Sequence, residues 1–170
     1  MVSEQNKAIV AAIKNSDLNS YKALRDLLDM AKVIADEEGD NDIAYALKLS
    51  DFVKRKVPTL PVSVGMNDLY WDALKFEAPH RFERFLLYME KNRSPKKRFY
   101  QPRAKTLKIV VDDLQDLEDG VIEFYGLSLP PRVGKSTVCI FFLAWCAGRH
   151  PDLHNAMGGH SGILAKGFFK

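Results

Sequence analysis

Residues 121–137 read VIEFYGLSLPPRVGKST, and the folding of this stretch decides the architecture of the chain. Its first nine residues, VIEFYGLSL (121–129), are rich in β-branched and aromatic side chains and have the length of a buried strand. Its last four, Gly134-Lys135-Ser136-Thr137, read as the end of a phosphate-binding loop. The stretch STVCIFFLAWCAG (136–148) is apolar on nearly every side, as a helix packed on a sheet is. Gly148 ends it and Pro151 follows closely. Strand, loop, GKST and helix in that order form the context in which such a loop binds phosphate. One position departs from the general pattern. Leu129 stands where a glycine is usual, five residues before Gly134, although Pro130 and Pro131 can also shape a tight loop.

Each loop residue has a chemical reason. Gly134 lets backbone N–H groups approach a phosphate with no Cβ in the way. The helix N-terminus aims unpaired N–H groups and partial positive charge at an anion. Lys135 can reach the β- and γ-phosphates, and the Ser136 hydroxyl can sit on Mg²⁺. Pro131, Arg132, Val133 and Thr137 complete the expected nucleotide-contacting loop. Two readings of Arg132 stay open. It is a catalytic arginine touching the γ-phosphate in cis, or a surface charge facing solvent.

Upstream, charge is sharply divided. Residues 91–108, KNRSPKKRFYQPRAKTLK, hold eight Lys/Arg and no acid, with Phe99, Tyr100 and Gln101 inside. Residues 109–129 hold six acids and no base. Leu107, Val110, Val111, Leu114 and Leu117 share one helical face, and Asp119-Gly120 closes that helix. Asp112, Asp113, Asp116 and Asp119 then read as its solvated side. A net charge of +3 is too mild to imply nucleic acid by itself, so the distribution is the informative part.

The first 57 residues read as helices. Ile9, Ala12 and Ile13 recur at helical spacing. A second helix over 20–37 carries Leu24, Leu27, Leu28, Ala31 and Ile34 on one stripe. Gly39 with Asp40-Asn41-Asp42 stops it and caps a third, faced by Ile43, Ala46, Leu47 and Phe52. Short connections make a small helical unit, read as an interaction or scaffold module. VPTLPVSVG (57–65) is a boundary. Helices over 67–76 and from Pro79, with Phe82, Phe85, Leu86 and Met89, come next. NAMGGHS (155–161) is expected as a second short strand, and SGILAKGFF (161–169) opens another helix.

Cys139 and Cys146 lie two helical turns apart, too far for a disulfide, and read as free thiols in a reducing compartment. MVSEQNKAIV has charges where a secretion signal needs an apolar run, and TVCIFFLAWCAG is too short to span a bilayer. A soluble intracellular protein is expected. His150 and His154 have helical metal spacing, but Pro151 between them breaks the helix, so no metal is assigned there.

Taken together, RFYQPR (98–103), LSLPPRVGKST, AWCAGRHPDL (144–153) and NAMGGHSGILAKGFF (155–169) resemble the N-terminal part of the phage terminase large subunit. That family is the ATP-driven motor that packages viral DNA into a procapsid. The resemblance covers residues 79–170, and the family's loop commonly carries an arginine and lacks the first glycine. It implies ATP and Mg²⁺ as ligands, with double-stranded DNA, the small terminase subunit and the portal as partners, in the host cytoplasm. In the family, residues upstream of the loop hold the adenine. Here Gln101 would pair with the adenine edge, Phe99 or Tyr100 would stack on it, and Arg98 or Arg103 would touch phosphate or base. Two further readings of this stretch stay open: Lys96, Lys97 and Arg98 contact DNA phosphates, which can share the segment with adenine binding, or the stretch is a solvated basic turn that happens to include aromatics.

The expected fold is α/β: a helical module over 1–57, a linker over 58–66, and the first strand, P-loop, helix and second strand of a P-loop NTPase domain over 67–170. The family's Mg²⁺-linked aspartate, catalytic glutamate and nuclease acids are not found in this sequence. The chain therefore reads as an ATP-binding portion of a larger packaging motor, with DNA cleavage supplied by a domain absent here. With so few strands the apolar edge would be exposed, so the chain is expected to self-associate or to hold its strands against the N-terminal helices. The alternative is a helical interaction module for the small subunit, portal or capsid, with a loop that does not function.

Overall fold

A computed structural model of the chain describes residues 2–38, 43–61, 65–154, 156 and 166. Seven α-helices lie among them: α1 Glu4–Lys14, α2 Tyr21–Glu38, α3 Ile43–Lys56, α4 Met66–Glu77, α5 Phe82–Met89, α6 Ala104–Glu118 and α7 Lys135–Arg149. The chain divides into two compact units, Met1–Ala78 and Pro79–Lys170.

In the first unit, local signals set the helix ends. The Ser3 hydroxyl accepts from the Asn6 N–H at the start of α1, and the Ser20 hydroxyl accepts from the Ala23 N–H at the start of α2. The expected α2 stripe is the core: Leu24, Leu27, Leu28, Ala31 and Ile34 are fully buried. The inward face of α3 runs through Ala46, Leu49 and Val53, with Phe52 only half-buried. Helix α4 enters at Gly65, whose φ of +89° suits a residue without a side chain. Leu69 and Ala73 then add to the same core. The segment read as a linker therefore precedes a helix that packs back onto α2 and α3, and the first unit ends at Ala78.

A buried charge pair ties α3 to α4. Glu77 is fully buried and accepts from Lys54 Nζ at 2.5 Å and from the Ser50 hydroxyl at 2.8 Å. Lys54, also buried, has a second partner in Asp51 at 2.9 Å.

The second unit is built on α5, α6 and α7. Phe82 and Leu86 of α5 meet Leu107, Val111 and Leu114 of α6 and Val138 and Trp145 of α7. Phe82 sits 5.3 Å from both Phe142 and Trp145, ring centre to ring centre. Helix α5 starts at Phe82, three residues after Pro79, because the Gln115 side chain of α6 accepts the Phe82 N–H at 2.7 Å.

The expectation of an α/β fold is overturned. Among the described residues there is no strand and no sheet. Residues 123–130 connect α6 to the loop without regular structure. Their side chains alternate as a strand's would: Tyr125, Leu127 and Leu129 are half-buried on the core, while Phe124, Gly126, Ser128 and Pro130 are exposed. A strand, however, exists only as one member of a hydrogen-bonded ladder, and no described residue pairs with this segment in one. Its apolar residues are held by helices of their own unit instead. The expected second strand at 155–161 and the helix at 161–169 lie outside the described residues, apart from Ala156 and Lys166. No described helix is long and apolar enough to cross a membrane.

The buried pair generates a stability prediction. Lys54→Met alone leaves the buried Glu77 charge without its cation and should cost about 3–5 kcal/mol, Glu77→Leu alone should cost less because Lys54 keeps Asp51, and the double variant should recover most of the Lys54→Met loss. Urea titration of the three variants measures it. Additive losses in the double variant would contradict the pairing.

Candidate functional site

The loop that closes on α7 is shaped by backbone angles its residues rarely adopt together. Arg132 has φ +67° and Gly134 has φ +105°. A left-handed arginine is uncommon, and such bends turn neighbouring N–H groups toward one side. Gly134 is the N-cap of α7 and brings no side chain to cap it, and the first turn of α7 holds no acid. The Lys135 ammonium donates to the Leu129 carbonyl at 3.1 Å and so closes the loop over Pro130 and Pro131. Pro131, Arg132, Lys135 and Ser136 are exposed, and Val133 and Thr137 are half-buried.

The turn 98–103 comes to the same place. A Cβ built on Gly134 would stand 2.3 Å from Phe99 Cε2, so the Phe99 ring lies directly on that glycine. Phe99 also stacks on Phe141 of α7 at 6.1 Å and 19°. The Arg103 guanidinium lies 5.9 Å from the Phe99 ring centre and donates to the Phe99 carbonyl. Two motifs about thirty residues apart thus share one surface.

Glu90, the C-cap of α5, organises this turn. Its carboxylate, 2% exposed, accepts the backbone N–H groups of Phe99, of Tyr100 at 2.5 Å and of Gln101 at 3.1 Å. The Tyr100 ring is buried, and its hydroxyl donates to Glu83 at 2.8 Å. Burial and that acid push the Tyr100 hydroxyl well above its ordinary pKa. Tyr100 is therefore a core residue here and offers no ring face, and Phe99 is engaged in packing. Gln101 and Arg103 remain exposed, and Gln101 Oε1 accepts from the Arg98 guanidinium at 2.8 Å. Lys96 and Lys97 are exposed on the short 3-10 turn before Arg98.

No family model, no curated protein and no solved structure matches this chain. The residues themselves carry the functional argument. The uncapped start of α7, the Lys135 ammonium and the Ser136 hydroxyl are the donors this surface exposes, and the Phe99 ring fills the space where a Gly134 side chain would be. Among the described residues no cluster of His, Cys, Asp and Glu suits a metal ion by itself.

The α6 acids do not join this surface. Asp112 pairs with Lys108, Asp113 with the Tyr125 hydroxyl, and Asp119 with Arg149. At the far end of α7, Glu118 accepts from the Cys146 thiol at 3.0 Å and pairs with His150 Nε2 at 2.9 Å. Burial, then the Glu118 carboxylate, pushes the Cys146 thiol up to about 12. Glu90 and Gln115 escaped the sequence reading. Glu90 left one trace there, as the acid that immediately precedes the cationic run.

Two predictions follow from this geometry. Gly134→Ala meets both the Phe99 ring and a forbidden φ, so it should lower stability by about 1–3 kcal/mol. Gly126→Ala, where the added Cβ meets nothing closer than 3.7 Å, should be close to neutral, and thermal melts of the two compare them. The protonated Cys146 thiol contributes stability that is complete below its ordinary value of 9 and is lost as pH rises toward about 12. Cys146→Ala should flatten that alkaline slope in a denaturation series across this window.

Proposed function

We propose that the 131–137 loop and the 98–103 turn bind ATP·Mg²⁺, and that the chain is the ATP-binding N-terminal portion of a terminase-type motor. That motor moves viral double-stranded DNA into procapsids in the host cytoplasm and cuts it with a separate nuclease domain. The contact of Phe99 with Gly134 carries the reading. It joins the loop to the segment that the resemblance makes the base-binding turn.

In this assignment the α7 N-terminus and Lys135 hold the phosphates, and the Ser136 hydroxyl is a ligand for Mg²⁺. Gln101 meets the base edge, with Arg103 and Arg98 beside it. Arg132, exposed and held at positive φ, is the candidate to meet the γ-phosphate. Lys96 and Lys97 are left for polyanion contact. The Met1–Ala78 unit has its own core, which favours a second role for the chain as a docking module for the small terminase subunit or portal.

Calorimetric titration with ATP·Mg²⁺ tests the reading. Wild type should bind, and Lys135→Ala should weaken binding about tenfold or more, the loss of a charge-assisted contact. Equal affinity of the two chains, or no binding to wild type, would sink the assignment.

A further inference from the structure

We propose that Glu90 is the positioning residue of this site. It fixes the Phe99–Gln101 turn so that Gln101 presents its amide to a nucleotide base, and it thereby sets base selectivity without touching the ligand. The proposal rests on the nucleotide reading above.

Three consecutive backbone N–H groups converging on one anion form the kind of concavity that elsewhere captures an anion from solution. Here the anion is part of the chain. Glu90 is almost wholly buried, so the carboxylate is committed to Phe99, Tyr100 and Gln101. A second acid of the same helix helps. Glu83 lies seven residues earlier, two turns back on the same face of α5, and accepts the Tyr100 hydroxyl. One helix thus grips the turn by its backbone and by its central side chain.

The grip has consequences at both ends of the site. Toward the loop, it holds Phe99 against Gly134, the N-cap of α7. Toward solvent, it leaves Gln101 exposed on a backbone that has already lost its freedom. A base reader ordered before the ligand arrives avoids the entropy of being ordered on binding.

The experiment uses the full chain and two ligands that differ only in the base, ATP·Mg²⁺ and CTP·Mg²⁺, titrated into wild type, Glu90→Gln and Lys135→Ala. Wild type should prefer ATP. Glu90→Gln, which puts an amide donor among N–H donors, should shrink that preference about tenfold while CTP affinity changes little. Lys135→Ala should weaken both ligands and keep the preference. An equal loss of both ligands in Glu90→Gln, or an unchanged preference, overturns the positioning role. A wild type that binds both alike overturns it too and leaves the phosphate reading standing. A wild type that binds neither overturns both. Amide hydrogen exchange of unliganded wild type covers the case in which Glu90→Gln does not fold. The N–H groups of Phe99, Tyr100 and Gln101 should be protected, and exchange at free-peptide rates would overturn the proposal.

Discussion

The Phe99 ring lies where a side chain on Gly134 would have to be. Much of the second unit depends on that contact. It requires a glycine at the start of α7, and it brings the turn after α5 against the loop before α7. It also leaves the first turn of α7 without a side-chain cap. Phe141, nearly two turns into α7, stacks on the same ring. The helix start, the loop and the turn are therefore one packed object, and a change in any of them is felt by the others.

Two buried acids, Glu77 and Glu90, and the half-buried Glu118 do much of the organising, each with partners supplied from elsewhere in its own unit. Glu77 takes Lys54 and Ser50, Glu90 takes three backbone N–H groups, and Glu118 takes Cys146, His150 and Arg149. The alternation of a basic run over 91–108 with an acidic run over 109–129 looks at first like two opposed surfaces. Much of it is consumed locally. Lys108 holds Asp112 on the next turn of α6, and Asp113 meets Tyr125. The charges left exposed on the 96–103 turn and the 131–137 loop are cationic: Lys96, Lys97, Arg103, Arg132 and Lys135.

The segment 121–130 shows why composition misleads about strands. From Phe124 to Pro130 its side chains alternate between solvent and core, and Tyr125, Leu127 and Leu129 reach the core. Composition records only whether side chains suit a pleated surface. Pairing depends on a second segment, and the described residues provide none. Helix α7 misled in a related way. Its apolar circumference suggested a sheet beneath it. In fact Phe141 and Phe142 are spent on Phe85, Phe99 and Phe82, and much of the remaining apolar surface of α7 is half-buried.

Helices were legible because their information is local. The Leu24–Ile34 stripe, the face of α6 and the stop at Asp119-Gly120 can all be read from spacing and end residues alone. The start of α7 at Gly134-Lys135 could be read for the same reason, since a glycine before an apolar helical run marks a helix end locally. Tertiary structure alone decided the rest. It buried Tyr100 rather than leaving it free to stack, chose Glu90 as the anchor of the 99–101 turn, capped α5 with Gln115, and left 123–130 without a ladder. Those outcomes depend on which distant groups arrive within hydrogen-bond reach, and spacing along the chain does not encode that.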